Sequence, residues 1–115
     1  MKRGEIRVLD FEPVRGSEVD KRRPAVIVSN DGANTTAQRL GRGVITVVPV
    51  TSNVTKVHPF QVLLTAAESG LRVDSKAQAE QVRSVAVERV GERVGQLAAE
   101  TVDALDEALR LHLAL

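Results

Sequence analysis

Two unbroken apolar runs, Ala25 to Val28 and Val47 to Val50, the second led by Val44-Ile45-Thr46, set the limits on what this chain can fold into. Both are short and rich in β-branched residues, the pattern of strands buried on two faces rather than of amphipathic helices. Arg23 and Pro24 lead into the first run, and Thr51-Ser52-Asn53 follow the second. A guanidinium and a hydroxyl therefore sit at the ends of two buried strands, where one rim can hold both, and that pair suits a phosphodiester. Pro24 fixes its own backbone angle, lacks a donor and biases Arg23 toward an extended conformation. It belongs at a strand start rather than inside a central ladder, with Arg23 at the edge.

The remaining pattern is strand after strand, then one helix. Glu5 to Phe11 roughly alternates, and Gln61 to Leu64 is a short apolar run. Turn-forming clusters at Pro13 to Asp20, Asn30 to Thr36 and Glu68 to Gly70 punctuate the runs, a spacing that predicts about five to seven strands in a small barrel or sandwich. The period then changes: Ala98, Val102, Leu105, Leu109 and Leu113 recur every three or four residues, so they share one face of a C-terminal helix that packs on the barrel. The expectation is a mainly β fold with a C-terminal α-helix, in one domain spanning residues 1–115.

Charge and composition narrow the chemistry. Net charge is only +1, yet thirteen Lys and Arg stand against nine Asp and Glu through Ser84, and three against six from Val85 onward. A polyanion should meet the body rather than the tail. Twelve of the sixteen cations are arginine, whose planar fork fits phosphate and base edges. Scattered ones such as Arg39, Arg72 and Arg93 read equally well as the mark of a GC-rich genome. There is no cysteine, and only His58 and His112 carry imidazoles, so neither a disulfide framework nor a structural metal is expected, and no cofactor. No apolar stretch is long enough to span a bilayer, and no signal-like apolar block opens the chain, so a cytoplasmic location is expected.

Several segments, taken in order, resemble the MazF/PemK family of toxin endoribonucleases. Lys2-Arg3-Gly4-Glu5-Ile6 looks like the family's first strand, Gly16 to Ser29 like its loop and second strand, and Val47 to Asn53 like its third. His58-Pro59-Phe60 resembles the family's short aromatic strand entry, and Ala79-Glu80-Gln81-Val82-Arg83-Ser84 its late strand motif. No single piece is diagnostic, but their order over most of the chain is. The resemblance implies the small SH3-like barrel of the MazF/CcdB-type toxins. It also implies a metal-independent, sequence-specific endoribonuclease that cuts single-stranded RNA through attack of the 2′-hydroxyl and so inhibits translation and growth. A homodimer follows as well, together with a cognate antitoxin whose acidic, disordered tail fills the RNA groove.

The same resemblance assigns roles. Arg23 is the principal catalytic residue, and Thr51 holds the phosphate. A guanidinium hardly ever gives up its proton, so charge stabilisation is its natural role. Glu18, in the expected loop, is the candidate for proton transfer. Ser17, Arg22, Ser52, Asn53, Lys56, His58, Gln81 and Arg83 are the expected RNA contacts. Histidine suits proton transfer near neutrality, but beside Pro59 and Phe60 it also suits stacking or capping a turn. His112 falls in the helix pattern and reads as structural.

The chain departs from the family in two places. Many relatives carry an aromatic where Arg7 stands, and often a glycine pair where this chain has Val19-Asp20-Lys21-Arg22. With Phe11 and Phe60 as its only aromatic residues, recognition of single strands must lean on arginine stacking, hydrogen bonds and shape. Two other functions suit the same barrel: a toxin that poisons DNA gyrase without cutting RNA, and a non-catalytic SH3-like RNA-binding module.

Overall fold

The computed structural model describes residues 1–11 and 22–115. The expected turn cluster at Pro13 to Asp20, with Ser17 and Glu18, lies outside the described residues. Among these residues seven strands form one antiparallel sheet: β1 Glu5–Asp10, β2 Arg22–Ile27, β3 Val44–Thr51, β4 Gln61–Leu64, β5 Ser75–Gln78, β6 Arg83–Ala86 and β7 Val90–Gln96. Their order is β4-β5-β3-β2-β1-β7, with β6 also pairing to β3. The sheet is roughly barrel-like but does not close, because β4 and β7 end it without pairing to each other.

The two apolar runs are continuous because their strands are buried on both faces. Val26, Val48 and Val50 join Ile6, Leu64 and Ala77 in one core cluster. Their alternate neighbours Ala25, Ile27, Ile45 and Val47 join Leu9 and Val85 in a second. Helix α3, Ala99–Leu113, covers the first cluster with Leu105 and Ala108, flanked by Val102 and Leu109. The expected helical stripe therefore packs on the sheet, except that Leu113 at its end is 49% exposed. Arg3 ties this helix down, donating from Nη2 to Asp106 at 2.6 Å and from Nε to the Val28 carbonyl at 2.8 Å.

The second cluster is covered by a helix where the sequence suggested a turn. Residues from Asn30 to Thr36 are poor helix formers, yet α1 runs Asp31–Leu40. Asn30 caps it by accepting from the Ala33 amide, and Gly41 ends it at φ 67, where a side chain would be strained. Asn34 is fully buried. Its Oδ1 accepts the Ser29 hydroxyl, and its Nδ2 donates to the Ser29 carbonyl at 2.9 Å. Local turn propensity is thus overridden by caps and one buried amide. The cluster at Glu68 to Gly70 likewise closes a short helix, α2 Ala66–Ser69.

Candidate active site

β2 and β3 bring the arginine and the hydroxyl together by register. Ile27 faces Val47, Val26 faces Val48 and Ala25 faces Pro49, where the ladder stops. Carried two residues further, the same register sets Arg23 against Thr51. Both line a groove of about 360 Å³ with Ser52, Arg72 and an apolar wall that includes Pro24, Leu71, Val73 and Val94. Pro24 stands third in β2, one residue past the last β2–β3 pair and opposite Val8 of β1. The strand therefore begins two residues earlier than a proline start predicts, and the proline occupies a position flanked on one side only.

Arg23 is exposed, and among the described residues its guanidinium makes no hydrogen bond or ion pair. Glu18 and Asp20 fall outside the described residues. Thr51 Oγ1 accepts the Asn53 amide at 3.3 Å, which leaves the hydroxyl proton for a bound oxygen. Arg22 opens β2 opposite Asp10.

A second groove, of about 290 Å³, shares Arg23 and Val50 with the first and is lined further by Phe11, Pro49, Gln78, Gln81 and Arg83. Arg83 lies over Phe11, its Cζ 5.2 Å from the ring centroid. The expected RNA contacts thus divide. Ser52 sits with Arg23 and Thr51, Gln81 and Arg83 sit beyond Arg23, and Asn53, Lys56 and His58 follow Thr51 on the connection to β4, lining neither groove.

That connection is pinned at several points. Asn53 Oδ1 accepts the Thr55 amide at 3.2 Å. The nearly buried Lys76 donates from Nζ to the Lys56 carbonyl at 2.6 Å. Gln61 Oε1 accepts the His58 amide at 3.1 Å, and its Nε2 donates to Glu80 at 2.7 Å. The His58 ring stacks on Phe60, centroids 5.0 Å apart and planes 4° from parallel.

Sequence reasoning missed Arg72, Gln78 and Lys76. Arg72 looked like compositional background, and the other two lie in a strand too short and polar to show a period. Arg7, where relatives carry an aromatic, is structural here: Nε and Nη2 donate to Glu5 Oε1 at 3.0 and 2.9 Å, and Nη1 to the Gly91 carbonyl at 3.2 Å. Among the described residues no three His, Cys, Asp or Glu side chains gather as a metal site, and no helix is long and apolar enough to cross a membrane.

Known proteins share this architecture. The chain is 64% identical to Endoribonuclease MazF9 of Mycobacterium tuberculosis over 115 residues, covering all of this chain and 98% of that protein. Endoribonuclease EndoA of Bacillus subtilis is 34% identical over 116 aligned positions, with 100% and 96% coverage. A crystal structure of MazE-MazF from Deinococcus radiodurans superposes with a TM-score of 0.75 at 25% identity, covering all of this chain and 96% of that one. The description "PemK-like, MazF-like toxin of type II toxin-antitoxin system" matches residues 2–113, and the chain belongs to that family.

Proposed function

We propose that this chain, as a single toxin domain, is an endoribonuclease that cuts single-stranded RNA without a metal, with the reaction centred on Arg23 and Thr51. The observation that carries the reading is their shared groove beside Ser52, in a chain so similar to proteins named endoribonucleases. The 2′-hydroxyl of the bound strand loses its proton and attacks the adjacent phosphorus. The 5′-oxygen leaves with a proton, giving a 2′,3′-cyclic phosphate and a 5′-hydroxyl. Arg23 holds the phosphate and offsets the charge that builds on its oxygens, and the Thr51 hydroxyl donates to one of them. A permanently charged guanidinium is a poor base, so the 2′-proton goes elsewhere, and Glu18 is the proposed acceptor. Arg22, Ser17, Ser52, Asn53, Lys56, His58, Gln81 and Arg83 are the proposed strand contacts.

The partners follow from the family. An antitoxin with an acidic, disordered tail suits a groove whose polar groups are guanidinium and hydroxyl and whose wall is apolar. Among the described residues β4, β6 and β7 each leave a sheet edge unpaired, which gives the chain a motive to form a homodimer. The proposed location is the cytoplasm, where its substrate is made.

The test is to incubate purified protein in EDTA with a long, poorly structured RNA, beside Arg23→Ala and Thr51→Ala, and to map the new 5′ ends. Reproducible cuts bearing 5′-hydroxyls, lost in Arg23→Ala, support the reading. Intact RNA with retained toxicity moves the function to a gyrase-directed poison, and RNA bound but uncut moves it to a binding module.

A further inference from the structure

We propose that the second groove is a nucleobase subsite, in which the Gln78 side chain selects adenine at one position beside the scissile phosphate. The inference rests on the reading above, that RNA is cut at Arg23 and Thr51.

Position comes first. Arg23 is a wall of both grooves, so a strand whose phosphate sits on that guanidinium has a neighbouring base within reach of the second groove. The groove has what a single unstacked base needs. Phe11 and Arg83 line it as a stacked pair, ring and guanidinium, that gives the groove a planar wall. Gln78 and Gln81 add two amides, and among the described residues neither side chain has a hydrogen-bond partner.

Gln78 is the better reader because of where it stands. It is the last residue of β5, its backbone paired with Gln61 of β4, and it is partly buried. Gln81 ends the 3-10 turn Ala79–Gln81 that follows and is exposed. A side chain on a paired strand loses less freedom on binding and discriminates more sharply than one on a turn. A carboxamide presents one donor and one acceptor side by side. Adenine matches that pair twice, through N6 and N7 and through N6 and N1, and no other base offers it on both edges.

The experiment is deep sequencing of the cuts made in a random single-stranded RNA pool by wild-type protein, Gln78→Ala, Gln78→Glu and Arg23→Ala. Wild-type cuts should share an adenine at one position adjoining the break. Gln78→Ala should lower the preference there about ten-fold and leave the other positions unchanged. Gln78→Glu, which has acceptors only, should lose the adenine preference, because it has no donor for adenine N7 or N1. Unchanged melting temperatures keep these effects local. A Gln78→Ala profile that superimposes on wild type, a fixed base other than adenine at that position, or equal relaxation at every position overturns the subsite. Cutting that persists in Arg23→Ala overturns the active-site reading instead.

Discussion

Thr51 and Lys76 face each other across the β3–β5 ladder, and the Lys76 ammonium reaches past the strand end to the Lys56 carbonyl at 2.6 Å. A nearly buried cation thus holds the chain that leaves the proposed phosphate-binding threonine. Replacing it by methionine keeps the stem and removes the donor. We expect Lys76→Met to raise KM for RNA about ten-fold while kcat changes less than about two-fold, because the loss of a charged hydrogen bond loosens the connection that carries Asn53 and Lys56. Lys76→Arg should recover most of the affinity. Equal losses in kcat and kcat/KM would place Lys76 in the chemistry instead.

Arg23 is proposed to act through its fork and not through charge alone. Lysine at that position keeps the charge as a point and cannot span two phosphate oxygens. Arg23→Lys should bind RNA within a few-fold of wild type and cut about a hundred-fold more slowly in single-turnover assays. A variant that cuts at the wild-type rate would sink the bidentate role.

Gly95 leaves no space for a side chain. A Cβ there would lie 2.1 Å from the Ser69 carbonyl oxygen, a backbone atom that cannot swing aside. Gly95→Ala must push β7 away from the end of α2, and Gly70 to Val73 beyond that end form one wall of the first groove. We expect a loss of about 2–4 kcal/mol and a melting temperature lower by about 10 °C. Calorimetry checks this directly, and a loss under about 0.5 kcal/mol would show that the two elements separate freely.

Glu5 should give the fold a measurable acid dependence. Burial alone would raise its pKa, but the hydrogen bonds and charge of Arg7, the Lys2 backbone and the amino terminus outweigh it and hold the carboxyl below its usual 4.5. A carboxylate held low stabilises the folded chain at pH above its ordinary value, and that contribution is lost as pH falls through the depressed pKa. The gap in melting temperature between wild type and Glu5→Gln should therefore be widest at neutral pH and shrink below about pH 4. A constant gap down to about pH 3 would contradict it.

Much of this was legible from residue pattern. β-Branched runs located β1 to β4, and the period change located α3, because strands buried on one or two faces and a helix with one apolar stripe each leave a repeat. What leaves no repeat was lost. α1 hid in a turn-like composition because a cap, Gly41 and the burial of Asn34 decide it. β5 is four residues long, with Ser75 and Lys76 buried by their hydrogen bonds and neighbours rather than by apolar character. At the site, the ordered segments pointed to Arg23, Thr51 and Ser52, which do share a groove. Its apolar wall at Leu71 and Val73 comes from an irregular connection, and nothing in those residues marks them as lining anything.

The open order of the sheet has a consequence for how such a protein can change. Arg23 stands on β2 and Thr51 ends β3, two strands at the middle of the sheet. Gln78 ends the four-residue β5, and Gln81 and the residues after Thr51 lie outside the strand ladders. On the proposed assignments, mutations that alter the sequence cut fall on short strand ends and connections, and mutations that alter the cutting fall at the middle of the sheet. Descendants of one toxin gene can diverge in the messages they destroy while the blade stays the same.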